Sequence, residues 1–181
     1  TQAPTGLALE LQPLVSSNEI ESIRIHAYRG ACSTPATEPT KWDPKTRESA
    51  DHSIPYMVAV AFHDGSVSPA SFTSQKIGDP GIKDLISKIS IEENEEYTGK
   101  YPGEYNVYME VTDRSGHTHT AHTSYPKGHQ NNPLSDEELE AKFRGLSSGV
   151  WSEGQTETAL ETLWALEDLT SLDELMDSLV V

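Results

Sequence analysis

The segment richest in chemical groups is Lys41-Trp42-Asp43-Pro44-Lys45-Thr46-Arg47-Glu48-Ser49-Ala50-Asp51-His52-Ser53-Ile54-Pro55-Tyr56. It gathers three basic residues, Lys41, Lys45 and Arg47, in a chain that has only 13. His52 and Tyr56 stand four residues apart, so a helix beginning near Ser53 can place both on one face. An imidazole and a phenol side by side at a helix mouth make a proton donor and an anion-binding pair. The free N–H groups of the helix start attract a carboxylate as well. On spacing alone the plainer reading prevails: His52 belongs to a helix cap, and Tyr56 is a core residue whose hydroxyl finds a partner nearby. A second cluster is His117, His119 and His122, with His129 beyond. His117 and His119 share one strand face and His122 has the opposite parity. A zinc site would need ligands converging from elsewhere, so exposed strand histidines are the economical reading.

These groups need a scaffold, and the hydrophobic pattern outlines one. Ile23, Ile25 and Ala27 alternate with Arg24 and His26, which predicts a strand over 20–28. Ile54 to Phe62 is a nearly continuous apolar run closed by Asp64-Gly65. It predicts a buried helix with Ser53 as N-cap and Pro55 in its first turn; a buried strand is the alternative. Helical starts are expected after Ser68 and over 79–88, and a strand over 89–93. Residues 104–113 and 117–124 form the clearest hairpin, joined by Asp113-Arg114-Ser115-Gly116. Ser135 with Glu138 spells a capping box for a helix running to Arg144 and stopping at Gly145. Residues 156–181 carry leucines at helical spacing and predict a helical tail. Residues 1–18 read as a connecting segment, and 30–51, with Pro35, Pro39 and Pro44, as a long loop. Long loops inside compact domains often carry function. The expected architecture is one small α+β domain over 1–181, a sheet with packed helices.

Composition bounds the partners. With 29 acidic against 13 basic residues the formal charge is −16, a surface that repels nucleic acid and anionic membranes. A single cysteine, Cys32, excludes an internal disulfide and fits a reducing compartment: the cytoplasm, or the mitochondrial matrix in a eukaryote. Hydrophobic residues make up 35% of the chain, few enough to suggest a face completed by another chain or domain. The chain opens on Thr1, without Met, and is expected to be a small subunit or a piece of something longer.

The stretch KWDPKTRESADHSIPYMVAVAFHDGSV resembles a signature of the MmgE/PrpD family. That family includes 2-methylcitrate dehydratase, cis-aconitate decarboxylase and iminodisuccinate epimerase. DRSGHTHTAHTSYPKGHQNNPLSDEELEAKF and the leucine-rich C-terminal helices agree with it. The resemblance implies a C-terminal lid of α+β type, closing a cleft against a large helical domain. It implies a lyase, a hydro-lyase or carboxy-lyase, for a small tricarboxylate, or an epimerase for a related di-acid. A non-catalytic binding or assembly module derived from such a lid is the other reading. Carried over by position, Tyr56 and His52 are the catalytic candidates and Lys127 and Gly128 substrate-binding ones; Lys45 and Arg47, basic residues of the same segment as His52, join the substrate-binding candidates. No metal and no organic cofactor is implied. The expected partners are a helical domain or subunit of the same enzyme and, through it, a homo- or hetero-oligomer. The helical domain itself is absent, so activity of this chain alone is not expected.

Overall fold

In the computed structural model the sheet follows from alternation. Strand β1 (Ile20–Ala27) buries Ile23, Ile25 and Ala27 on one face. Ile20 is buried too, because a register shift between Ile20 and Ser22 restores its side. The structure describes residues 1–180, and at 34 and 35 the backbone only. Contacts divide the chain into two units, Thr1–Asn132 and Pro133–Val181.

The first unit opens with helix α1 (Gln2–Leu11), where the sequence suggested a connecting segment. Leu7, Ala8 and Leu11 are buried at helical spacing, and α1 packs on the sheet. The apolar stripe, not the flanking prolines, decides this stretch. β1 follows. The region expected to be a structureless loop instead holds three short helices: α2 (Thr34–Thr37), α3 (Pro39–Trp42) and α4 (Arg47–Asp51). Two of its prolines, Pro35 and Pro39, sit in first turns, where the missing N–H costs nothing.

Helix α5 (Ile54–Asp64) is apolar nearly all round and buried at Ile54, Tyr56, Val58, Ala59, Val60, Ala61 and Phe62. Such a helix is stable only when enclosed, and α5 packs between α1 and α7. Ser53 caps its start. Gly65, with φ 67°, ends it in the left-handed conformation. Then come α6 (Ser74–Ile77), α7 (Pro80–Ser87, capped by Asp79), β2 (Ile89–Glu93) and α8 (Glu95–Lys100, capped by Asn94). Of the acidic run at 92–96, Glu95 and Glu96 fall in the first turn of α8, where the helix dipole favours negative charge. The hairpin is β3 (Val107–Asp113) and β4 (Thr118–Thr123). The Asp113 carboxylate accepts the Ser115 and His117 amides at its turn.

The strand order is β2-β1-β3-β4, with β2 parallel to β1 and the others antiparallel. A parallel pair needs a crossover, and residues 28–88 supply it, carrying α2 to α7. Ala27, Val107 and Thr123 stand in register. The connections at 28, 106 and 124 therefore leave the sheet at one end.

The second unit holds α9 (Asp136–Ser147), α10 (Glu153–Trp164) and α11 (Asp173–Ser178). The capping box of Ser135 and Glu138 forms as expected, but α9 runs through Gly145 to Ser147. The Arg144 guanidinium spans both carboxylate oxygens of Glu157 at 2.6 and 2.9 Å and donates to Glu140 at 2.9 Å. It thereby ties α9 to α10. Helices occupy most of the expected tail; its last residue, Val181, lies outside the described residues. Among the described residues no helix is long and apolar enough to cross a membrane.

Candidate functional site

Ser53 organises the segment that carries the candidate residues. Its hydroxyl accepts the Tyr56 amide at 3.0 Å and donates to the Lys41 carbonyl at 2.5 Å. A fully buried side chain thus fastens α3, at Lys41, to the mouth of α5. Thr46 and Ser49 cap α4 reciprocally, which sets Lys45 and Arg47 at its start and His52 at its end.

His52 and Tyr56 do not share a face. The break between α4 and α5 falls between them, so helical spacing does not apply across it. The His52 side chain is 66% exposed. Its Nδ1 meets Asp51 Oδ1 at 2.5 Å and the Glu48 carbonyl at 3.3 Å. The Asp51 carboxylate, helped by that carbonyl, raises the imidazole above its usual range and favours the cation. Tyr56 is fully buried beside Phe72, and its hydroxyl donates to the Ser71 carbonyl at 2.5 Å. Burial, then the nearby Asp64 and Asp79, pushes the phenol up to about 12. The expectation of an imidazole and phenol aimed together at a cleft is corrected accordingly: His52 faces out, and Tyr56 faces into the core of this unit. Three of the motif's residues, Ser53, Pro55 and Tyr56, build structure.

Lys45 is exposed and pairs with Asp43 at 2.6 Å. Arg47 is exposed at the first position of α4. Lys127 and Gly128 lie in the turn after β4, exposed, with Gly128 at φ 90°. Only glycine adopts that conformation without strain, and here it lets the Gly128 amide reach the Asn132 carbonyl at 2.8 Å. For a cation, the closest His/carboxylate group among the described residues is Glu48, Asp51 and His52, with ligand atoms within 4.8 Å of one another. It is largely exposed, as surface acidic groups commonly are.

The sequence reading passed over a cleft of about 490 Å³ at the sheet end where β1 finishes and β3 begins. Tyr28, Tyr105, Val107, Pro126 and His129 line it, with the start of α1. Two signals pointed there: four tyrosines between 97 and 108, and a histidine two residues after Lys127.

The sequence profile of the MmgE/PrpD C-terminal domain matches residues 1–168. This chain belongs to that family. Among curated relatives it is similar to the cis-aconitate decarboxylase of Homo sapiens, 33% identical over 129 residues. It is also similar to that of Mus musculus, 29% identical over 126 residues. Each match covers 70% of this chain and 26% of the relative, so this MmgE/PrpD C-terminal domain spans about a quarter of the proteins it resembles. Tyr56, His52, Lys45, Arg47, Lys127 and Gly128 all fall inside the 1–168 span of the family profile.

Proposed function

We propose that this domain is the lid of a lyase acting on a small tricarboxylic acid, and that it works with a helical domain or subunit that completes the cleft. The observation that carries the reading is the family match across 1–168, supported by similarity to two cis-aconitate decarboxylases. The chemistry available on this chain fits such a substrate. His52, favoured as a cation by Asp51, stands at one end of α4, with Arg47 and Lys45 at the other. In a chain of net charge −16 these are three of its few cationic groups, interleaved with Asp43, Glu48 and Asp51. In the proposal His52 binds a substrate carboxylate or passes a proton, and Lys45 and Arg47 draw the anion in. Tyr56 keeps α5 and the Ser71 segment together.

The test is CO2 release from cis-aconitate, and water loss from 2-methylcitrate, by the full-length protein. His52→Ala is expected to lower kcat by about 10²-fold, the lower end for a positioned acid or base. Lys45→Ala with Arg47→Ala is expected to raise KM. Unchanged kcat and KM in both variants, with the fold intact, would sink the assignment. Side chains on the second unit favour a second reading: Leu146, Val150, Leu172 and Met176 are each at least 55% exposed. Under it the domain serves assembly, and the full-length protein turns over neither acid.

A further inference from the structure

We infer that His129 is a ligand-binding residue. Through Nε2–H, and with the hydroxyls of Tyr28 and Tyr105, it holds a carboxylate of a small di- or tricarboxylic acid in the cleft at the sheet end.

The argument begins with the turn. The His129 amide donates to the Pro126 carbonyl at 3.0 Å, Gly128 to Asn132 at 2.8 Å, and Asn132 back to the His129 carbonyl at 2.8 Å. The Asn132 side chain donates to the Tyr125 carbonyl at 2.9 Å. The backbone around His129 is thereby fixed. Its ring stacks on Tyr125, with centroids 4.8 Å apart and planes at 18°, and lies 5.8 Å from Tyr105. The tautomer is fixed too. The Asn131 amide lies 3.1 Å from His129 Nδ1, and a backbone N–H can only donate. Nδ1 is therefore an acceptor, and the neutral ring carries its proton on Nε2.

That proton has no protein acceptor among the described residues, and the Tyr28 and Tyr105 hydroxyls have no partner either. Yet all three side chains line one cleft of about 490 Å³, and the two tyrosines meet edge to face at 6.0 Å. Tyr28 also stacks on Tyr101 at 4.8 Å, and burial raises its phenol, so it remains a donor at neutral pH. A half-enclosed cleft with O–H and N–H donors suits an oxygen-rich anion. The ring faces and Val107 suit its carbon skeleton. None of these groups belongs to the His52 segment, so the cleft is a separate point of attachment. The choice of a polycarboxylate rests on the proposed lyase reading. The donor set itself rests on the geometry.

The experiment follows the histidine ring nitrogens by NMR in the full-length protein, titrated with cis-aconitate and with its saturated analogue propane-1,2,3-tricarboxylate. Without ligand, His129 is expected to show the Nε2–H tautomer, and both acids are expected to shift that signal. His129→Ala is expected to weaken binding roughly tenfold or more, as loss of a hydrogen bond to a charged group does. Tyr105→Phe, which keeps the ring and the packing, should weaken it similarly. His129→Gln, whose amide can replace the Nε2 donor, should recover part of the loss. An Nδ1–H tautomer overturns the inference. So does binding by His129→Ala and Tyr105→Phe as tight as by the unaltered protein, or failure of the unaltered protein to bind either acid. Turnover separates the two proposals. Binding at His129 without turnover removes the lyase reading and leaves this one. Turnover with kcat and KM unchanged in both variants does the reverse.

Discussion

Ser53→Ala removes one oxygen and disturbs two segments. The hydroxyl it deletes accepts the Tyr56 amide and donates to the Lys41 carbonyl, in a side chain with no exposed surface. Loss of an N-cap alone costs about 1 kcal/mol. The carbonyl left behind in a water-poor site adds about 1–3 kcal/mol, for a total of about 2–4 kcal/mol. A cost of 1 kcal/mol lowers Tm by about 2–4 °C in a domain of this size, so the midpoint should fall by roughly 5–15 °C. Thr46→Ala is the matched control. It also deletes an N-cap hydroxyl, at the start of α4, but Thr46 is exposed and water replaces the lost bonds. About 0.5–1 kcal/mol is expected there. Urea unfolding followed by circular dichroism measures both, with unchanged m-values confirming that the unfolded states are comparable. Should Ser53→Ala cost no more than Thr46→Ala, the buried clamp between α3 and α5 is not what stabilises this corner.

Tyr56→Phe leaves the buried Ser71 carbonyl without its donor, and about 1–2 kcal/mol of stability should go in the same urea assay. A loss of turnover larger than the loss of folded protein would show that the hydroxyl meets substrate after all. Burial works against the ionised Asp64 carboxyl, but Lys76 at 2.7 Å and His63 at 2.6 Å outweigh it and hold its pKa below the usual 3.8. A depressed carboxylate stabilises the fold above that ordinary value, and the contribution fades as pH falls through the lower folded value. Asp64→Asn should therefore flatten the acid limb of a plot of stability against pH below about 4, and an unaltered limb would refute this. Arg144→Lys loses the two-pronged grip on Glu157. Because the arginine is partly exposed, only a small loss is expected, read as a lower midpoint in thermal unfolding of the second unit.

Patterns repeated over many residues were legible in the sequence. Alternation at Ile23, Ile25 and Ala27 specified a strand, and the Asp113–Gly116 turn specified a hairpin. Ser53 and Ser135 marked two helix starts, because a cap is a local hydrogen bond between residues three apart. The unbroken run from Ile54 to Phe62 also announced that α5 is enclosed. The family was legible for the same reason, since its motifs are contiguous. What escaped were short elements stabilised by their surroundings. Helices of four or five residues such as α2, α3 and α4 cannot form alone, because nucleation outweighs so few bonds. Packing against neighbouring elements decides them, and sequence windows do not see it.

The direction in which a side chain points was the other thing left to the tertiary structure. Spacing allowed His52 and Tyr56 to stand together. The chain turns between them, and that turn sends one ring to solvent and the other to a carbonyl 15 residues away. Tyr28, Tyr105 and His129 are distant in sequence and meet because Ala27, Val107 and Thr123 share a register across three strands. Strand pairing creates that neighbourhood, and it is long-range. Composition and motif name the groups a protein owns; only the folded sheet determines which of them face the same space.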